Sequence, residues 1–248
     1  MLTKLPFVLL LSVSGAFAQS RGISGVPQPA GSAEIMKINN FMTLAGRNGI
    51  PLFGSPYADN RWLPAHLTTV ANVALPSVPL KYDVLNQRLL MRPLERPNDS
   101  LQLDDSQLVS FALDLPGAPG TPSTATKIFR RFSESPVPTQ RAEYVEVLHQ
   151  GAYTLLKRYV KTVRKATPHT SFDTSPMRDE ILDKPTYYLC LPGGGVIGGA
   201  VHLNKLNLKA LQEAAPQLGT ALAAVPGAAT AATEAEWATA LAAADPRR

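Results

Sequence analysis

Residues that carry metal or nucleophile chemistry are scarce in this sequence. Of 248 residues one is cysteine, Cys190, and four are histidine, His66, His149, His169 and His202. A single cysteine excludes an internal disulfide, and no two histidines have the close spacing of a typical zinc ligand set. The motifs G-x-S-x-G and H-E-x-x-H are also missing. The sequence therefore predicts no metal site, no cofactor and no catalytic residues.

Long hydrophobic runs are also missing outside the N-terminus. There, Lys4 precedes the apolar stretch 5–13, and Ala16-Phe17-Ala18 follows it. A basic residue, a short apolar core and an A-x-A site in this order are typical of a secretory signal peptide. The apolar stretch is shorter than the roughly 20 residues of a membrane span. We predict a signal peptide over residues 1–18, cleavage before Gln19, and an exported protein, periplasmic or secreted, that does not span the membrane afterwards.

The fraction of charged residues is also low, and basic residues outnumber acidic ones. Charged residues make up 17% of the sequence, and the formal net charge is +5. Part of the excess is concentrated in one segment, at Lys157, Arg158, Lys161, Arg164 and Lys165. Exported proteins rarely meet nucleic acid, so we expect this segment to face either water or a partner such as an anionic envelope glycan, a lipid surface or a protein, and we expect no nucleic acid.

The chain divides into four predicted segments. Residues 1–18 are the signal peptide, and residues 19–54 are a leader or linker that can hold a short helix at residues 35–44. Residues 55–203 are predicted to form an antiparallel β domain, and residues 204–248 a helical segment that packs on the sheet. Gly, Pro and Ser without periodicity distinguish the leader from the alternating pattern that follows.

Alternation of apolar and polar residues predicts a series of short strands. The predicted strands are 79–85, 88–92, 100–103, 108–113, 127–132, 144–149, 153–165, 186–191 and 196–203. Asn86-Gln87 is expected to make a tight turn, since an asparagine tolerates a positive φ, and residues 116–125 are expected to be an exposed, mobile insertion. The short links favour an antiparallel meander, or a curled or closed sheet, of seven to nine strands.

Helical spacing returns after residue 204. Pro216 suits the first position of a helix, and Pro226-Gly227 ends it. Thr233 and Glu236 have the spacing of a capping box, and Trp237 can dock that last helix on the sheet. Strands followed by helices predict an α+β fold.

The strand predicted at 153–165 supplies the candidate binding residues. They are Tyr153, Lys157, Tyr159, Lys161, Arg164 and Lys165. Aromatic rings between basic side chains can bind polysaccharide or peptide. The alternative is that the tyrosine rings pack in the core. We expect burial only near the start of this strand, with its basic end leaving the sheet.

Other segments are interpreted as structural. Gly193–Gly199 is predicted to be a hairpin turn, because a strand and no helix follows it, so it cannot present a helix N-terminus to a phosphate. Asp104-Asp105 suits a turn, and the acidic residues at 179–183 are predicted to lie in a charged loop. Cys190 has apolar neighbours and is expected to be an unreactive strand residue.

Several short motifs follow one another between residues 55 and 245. They are Ser55-Pro56-Tyr57, Trp62-Leu63-Pro64, Pro79-Leu80-Lys81-Tyr82-Asp83, Leu101-Gln102-Leu103-Asp104, the hairpin at 144–165, the segment 184–189, Leu203-Asn204-Lys205 and a helical tail. In this order they resemble a family of uncharacterised exported proteins found in Bacteroidota. The resemblance implies a compartment and an architecture, and no activity.

These observations favour an exported, non-catalytic β-rich module that binds or organises a component of the cell envelope. Two alternatives stay open. The first is a hydrolase-type enzyme whose site is assembled only in the fold, which facing carboxylates in a cleft, or a histidine beside Ser or Asp, would favour. The second is a structural subunit of an envelope complex, which would show an exposed apolar patch of several hundred Å².

Overall fold

The computed structural model describes residues 52–71, 75–117, 125–165, 179–193 and 197–245. The strands in these ranges are β1 Leu52–Phe53, β2 Leu63–Thr69, β3 Val78–Asp83, β4 Arg88–Met91, β5 Leu101–Leu103, β6 Leu108–Asp114, β7 Thr126–Arg131, β8 Tyr144–Gln150, β9 Thr154–Arg158, β10 Lys161–Arg164, β11 Asp179–Asp183, β12 Thr186–Cys190 and β13 Ala200–Leu203. The helices are α1 Leu208–Ala214, α2 Pro216–Ala223 and α3 Glu234–Ala244. The predicted signal peptide, the predicted helix at 35–44, His169 and most of the 116–125 insertion lie outside the described residues.

Ten strands form one antiparallel sheet in the order β13-β12-β9-β8-β7-β6-β2-β3-β4-β5. The predicted α+β fold, with an antiparallel sheet followed by helices, is therefore confirmed. The strand count of seven to nine was too low, partly because β2 was not among the predicted strands. The alternative of a closed sheet is wrong, since β13 and β5 form opposite edges and the helices cover one face near β13.

The half of the ten-stranded sheet that contains strands β2 to β8 is curved, so that side chains on its inner face contact one another across the curve. The ring of Tyr82 in β3 lies 6.1 Å from that of Phe111, 6.0 Å from that of Phe129 and 5.9 Å from that of Tyr144. Phe129 and Tyr144 belong to β7 and β8, which are not hydrogen-bonded neighbours of β3. Edge-on aromatic contacts of this kind add to the burial of apolar area. We call this group of buried residues the curl cluster.

The other half of the same inner face is covered by the three helices. Its buried side chains include Leu155 and Leu189 from the sheet and Leu211, Leu222 and Trp237 from the helices. We call this group the helix cluster. The predicted capping box is confirmed, because Thr233 accepts a hydrogen bond from the backbone of Glu236 while the Glu236 carboxylate accepts one from the backbone of Thr233. Pro216 is the first residue of α2, as predicted.

Two local predictions are wrong. The turn between β3 and β4 spans four residues instead of two, and Gln87 is the residue with a positive φ, of 51°. Asn86 instead donates hydrogen bonds from its side chain to both carboxylate oxygens of Asp83. The acidic residues at 179–183 form strand β11 and no loop, because the basic strand β10 pairs with them in a second, three-stranded sheet.

None of the described helices has the length and hydrophobicity that crossing a membrane requires.

Candidate functional site

The predicted strand 153–165 is broken after Arg158, and this break divides the candidate binding residues. Lys157 lies in β9 of the main sheet, and Tyr159 directly follows that strand. Lys161 and Arg164 lie in β10, so the basic end leaves the main sheet as the sequence predicts. Tyr153 precedes β9 and packs against the helix cluster. The structure therefore does not bring the six residues together on one surface.

The basic residues of the second sheet are paired with acids. Lys161 stands opposite Asp183 in the β10–β11 register, and its Nζ lies 2.5 Å from Oδ2 of that residue. Arg164 forms an ion pair with Glu180, its partner in the register. The ammonium group of Lys165, just after β10, lies 2.7 Å from a carboxylate oxygen of Asp179. An anionic ligand would have to displace these carboxylates.

Lys157 and Tyr159 belong to a polar network between the curl cluster and the helix cluster. Tyr187, Lys157 and Glu146 are register partners across β12, β9 and β8, and Phe129 of the curl cluster follows in the same row. Nζ of Lys157 lies 2.7 Å from Oε1 of Glu234, the first residue of α3. The network joins α3 to the middle of the sheet.

Both carboxylates of this network already have partners. Glu146 accepts a 2.6 Å hydrogen bond from the Tyr159 hydroxyl, and Nζ of Lys127 lies 3.7 Å away. Glu234 accepts a 2.6 Å hydrogen bond from Tyr187 as well as that from Lys157. Burial, together with the neighbouring carboxylates, raises the pKa of both tyrosines, so both hydroxyls stay protonated. The network is balanced in charge and typical of a structural connection.

Three histidines lie in the described residues, and two of them contact an aspartate. His149 is buried, and its Nε2 lies 3.2 Å from Oδ2 of Asp245 at the end of α3. The same carboxylate accepts hydrogen bonds from the backbone of Ala152 and Tyr153. This arrangement fastens α3 to the β8–β9 hairpin. Within the described residues, no three His, Cys, Asp or Glu side chains are grouped as a metal site would require.

The remaining sequence candidates lie in structural positions. Cys190 is buried in β12, and its burial raises the pKa of the thiol to about 11. Asp104 accepts a hydrogen bond from the backbone of Ser106 in the turn between β5 and β6. Gly193 and Gly198 both have a positive φ and belong to the segment between β12 and β13, whose residues 194–196 lie outside the described part.

One site was missed by the sequence reasoning. On the outer face of β2 and β3, Nζ of Lys81 lies 5.0 Å from the centre of the Trp62 ring and 4.7 Å from that of Tyr57. The guanidinium carbon of Arg92 lies 4.5 Å from the Trp62 ring. We call these four residues the Trp62 platform. Cation–π contacts at such distances hold the two cations against the rings.

Within the described residues, neither cation of the platform forms an ion pair. Most lysines and arginines that the structure describes form ion pairs, whereas in the same part of the chain the side chains of Lys81 and Arg92 have neither a hydrogen bond nor a carboxylate partner. The Asp59 charge acts on Lys81 in the opposite direction to Arg92, but its carboxylate is held by two hydrogen bonds from the side chain of Arg61. Burial and the neighbouring Arg92 charge lower the pKa of Lys81. Two like charges are thus held together, which an anion would relieve.

A partial signal for this platform exists in the sequence. Trp62 and Pro64, like Pro79 and Lys81, are two residues apart, and side chains with that spacing share one face of a strand. The pairing of Leu63 with Leu80, which places the two sets side by side, is set by the β2–β3 register. Sequence alternation alone does not give that register.

Comparison of the chain with protein family models, with curated proteins and with solved structures gives no match.

Proposed function

We propose that this protein is an exported, non-catalytic β-rich module that binds an anionic component of the cell envelope at the Trp62 platform. The basic and apolar order of residues 4–18 and the resemblance to exported proteins of Bacteroidota support export. Lys157, Lys161, Arg164 and Lys165 are not the anion site in this proposal, because each is already paired with a carboxylate.

The observation that carries the proposal is the pair of unneutralised cations at Trp62. Holding two like charges near one ring costs free energy in the unliganded protein, and a bound oxyanion removes that cost. Arg92 offers a planar fork of donors that suits carboxylate or phosphate groups, and Lys81 adds a compact charge. The rings fix both groups before the ligand arrives, which reduces the entropy lost on binding.

A hydrolase is less well supported, although His66–Asp114 and His149–Asp245 both place a histidine beside an aspartate, as that alternative requires. Glu146 and Glu234 are the two carboxylates of the polar network on the inner face, and each is engaged by a tyrosine hydroxyl and a lysine. The carboxylate of Asp245, which contacts His149, is likewise occupied by backbone N–H groups. These acids are held in fixed hydrogen bonds and serve to join elements of the fold.

The test is a binding measurement on the protein purified in its exported form. Calorimetry and thermal shift would be run with glucuronate, inorganic phosphate, vesicles containing phosphatidylglycerol, and neutral dextran as the uncharged control. We expect stabilisation by at least one anion and none by dextran. The double variant Lys81→Ala/Arg92→Ala should weaken binding about 10-fold to 100-fold, which corresponds to one or two charge-assisted hydrogen bonds.

Lys161→Ala/Arg164→Ala is the matched control, because it also removes two cations and leaves the platform intact. Equal losses of affinity in the two double variants would mean that net charge alone attracts the ligand, and would contradict the proposal. So would the absence of binding to every anion. Export is tested separately by intact-mass analysis, which should show a chain that begins at Gln19.

A further inference from the structure

The outer face of β2 extends the Trp62 platform into a strip. Along this strand Leu63, Ala65 and Leu67 are buried, while Pro64 and His66 point outward. Outward residues of a strand follow each other at about 7 Å, twice the rise per residue, so His66 lies about 14 Å from Trp62. The outward-facing side of β2 therefore extends well beyond Lys81 and Arg92.

The middle of the strip is formed by two uncharged residues. Pro64 in β2 stands directly opposite Pro79 in β3. The carbonyl of Pro79 accepts a 3.0 Å hydrogen bond from the backbone of Arg92, which fixes the start of the Arg92 side chain beside the prolines. The two adjacent pyrrolidine rings form an apolar surface next to the two cations.

His66 forms the far end of the strip. Its side chain is 60% exposed, and its Nε2 lies 2.9 Å from Oδ2 of Asp114, which also accepts a hydrogen bond from the Thr126 hydroxyl. The contact with Asp114 orients the imidazole and leaves its Nδ1 for a ligand. An oriented ring nitrogen on an exposed strand is suited to hydrogen bonding with a hydroxyl group.

We infer that the ligand is an acidic polysaccharide chain that lies along β2, with a carboxylate at Lys81 and Arg92 and a later sugar unit at His66. This inference rests on the proposed function and names its ligand class. A sugar polymer offers carboxylates, apolar ring faces and hydroxyl groups in sequence, which matches cations, prolines and imidazole in the same order. A phosphate ion at the platform would not reach His66.

A lipid surface matches the strip less well. Membrane surfaces are recognised by clusters of about four to eight lysines and arginines, each contributing on the order of 1 kcal/mol. The platform has two cations without an ion pair among the described residues, and the strip beyond them is formed by prolines and a histidine. A strip of this composition suits a single extended polymer chain better than a membrane surface.

The experiment measures how affinity depends on the length of the ligand. Galacturonate monomer, dimer and hexamer would be titrated into the exported protein by calorimetry, with inorganic phosphate and phosphatidylglycerol vesicles as competing chemistries. We expect the hexamer to bind about tenfold or more tightly than the monomer, because contacts beyond the carboxylate add to the same binding event. His66→Ala should reduce the affinity of the hexamer more than that of the monomer.

The control variant is His202→Ala, which removes an exposed histidine on β13, a strand distant from β2 in the sheet order. It should leave the affinity for monomer and hexamer unchanged. Equal affinity for monomer and hexamer, or a His66→Ala effect equal to that of His202→Ala, would overturn the polysaccharide inference while leaving anion binding intact. Tight binding to the vesicles without binding to the hexamer would also overturn it. Loss of all anion binding would instead defeat the proposed function.

Discussion

The hydroxyl of Tyr159 donates a 2.6 Å hydrogen bond to Oε2 of Glu146 at the border between the curl cluster and the helix cluster. Glu146 is 5% exposed, so its carboxylate cannot exchange this partner for bulk water. Tyr159→Phe should therefore lower the free energy of unfolding by about 1–3 kcal/mol, the cost of leaving a buried acceptor short of a donor. Urea unfolding followed by circular dichroism measures this change.

The matched control is Tyr153→Phe. Tyr153 also lies beside β9 and is half-buried, but within the described residues its hydroxyl makes no hydrogen bond. This variant should change the free energy of unfolding by less than about 0.5 kcal/mol, as is usual away from such buried partners. If the two variants lose the same stability, the Tyr159–Glu146 bond is not what stabilises the border.

Stability should also fall in acid through Glu234. Burial acts to raise the pKa of this carboxyl group, but the hydrogen bonds from Lys157 and Tyr187 outweigh it and hold the pKa below the ordinary value of 4.5. The stabilisation is therefore complete above pH 4.5 and is lost as the pH falls through the lowered pKa of the folded state. The free energy of unfolding, measured from about pH 6 to pH 3, should fall more steeply with decreasing pH below about pH 4.5.

Glu234→Gln removes this titration. We expect it to be less stable than the wild type at neutral pH and to lose less additional stability in acid. Glu213→Gln is a suitable control, since the Glu213 side chain is 67% exposed in an ion pair on α1. A Glu234→Gln protein with the acid dependence of the wild type would show that other carboxylates, such as Glu134 beside Arg130, dominate.

Gly151 in the β8–β9 hairpin has little room for a side chain. An added Cβ would lie 2.5 Å from Oδ2 and 2.6 Å from the backbone oxygen of Asp245. Gly151→Ala should therefore cost about 1–3 kcal/mol, the range for overpacking. Asp245→Ala should also destabilise, because it removes the partner of His149 and of two backbone N–H groups.

A double-mutant cycle tests whether these two residues act together. Because both changes release the same contact between the hairpin and the end of α3, the combined loss should be smaller than the sum by about 0.5 kcal/mol or more. Strict additivity in urea unfolding would show that the hairpin and α3 are held independently.

Cys190 should be unreactive in the folded protein. Burial raises the pKa of its thiol to about 11, so little of the reactive thiolate is present near pH 8. We expect slow modification by iodoacetamide in native buffer and rapid modification in concentrated guanidinium chloride, as measured by intact mass. Equally rapid labelling in both conditions would contradict the buried position of this residue.

Much of the fold follows from local patterns in the sequence. The alternation at 108–113 and 127–132 and the capping box at Thr233 each depend on residues close in the chain, and each matches the structure. The prediction failed where a distant segment decides the conformation. The acids at 179–183 become a strand because the basic β10 pairs with them.

The candidate site was harder to predict for the same reason. Lys81 and Arg92 meet at Trp62 only when β2 lies beside β3, and the register of those strands is a property of the whole sheet. Density of basic residues indicated 157–165 instead, although the acids that neutralise this segment come from β11 and α3. A local density of basic residues in the sequence is a weak guide to a binding site when the acids that neutralise them are distant in the chain.

The strand order has a consequence for the speed of folding. Seven of the nine strand pairings in the ten-stranded sheet join strands that are consecutive in the chain, and only β2 with β6 and β9 with β12 are brought together across intervening strands. Hairpins close small loops and form early, whereas these two pairings must close longer ones. We expect the two pairings to limit the rate at which hairpins formed separately become one sheet.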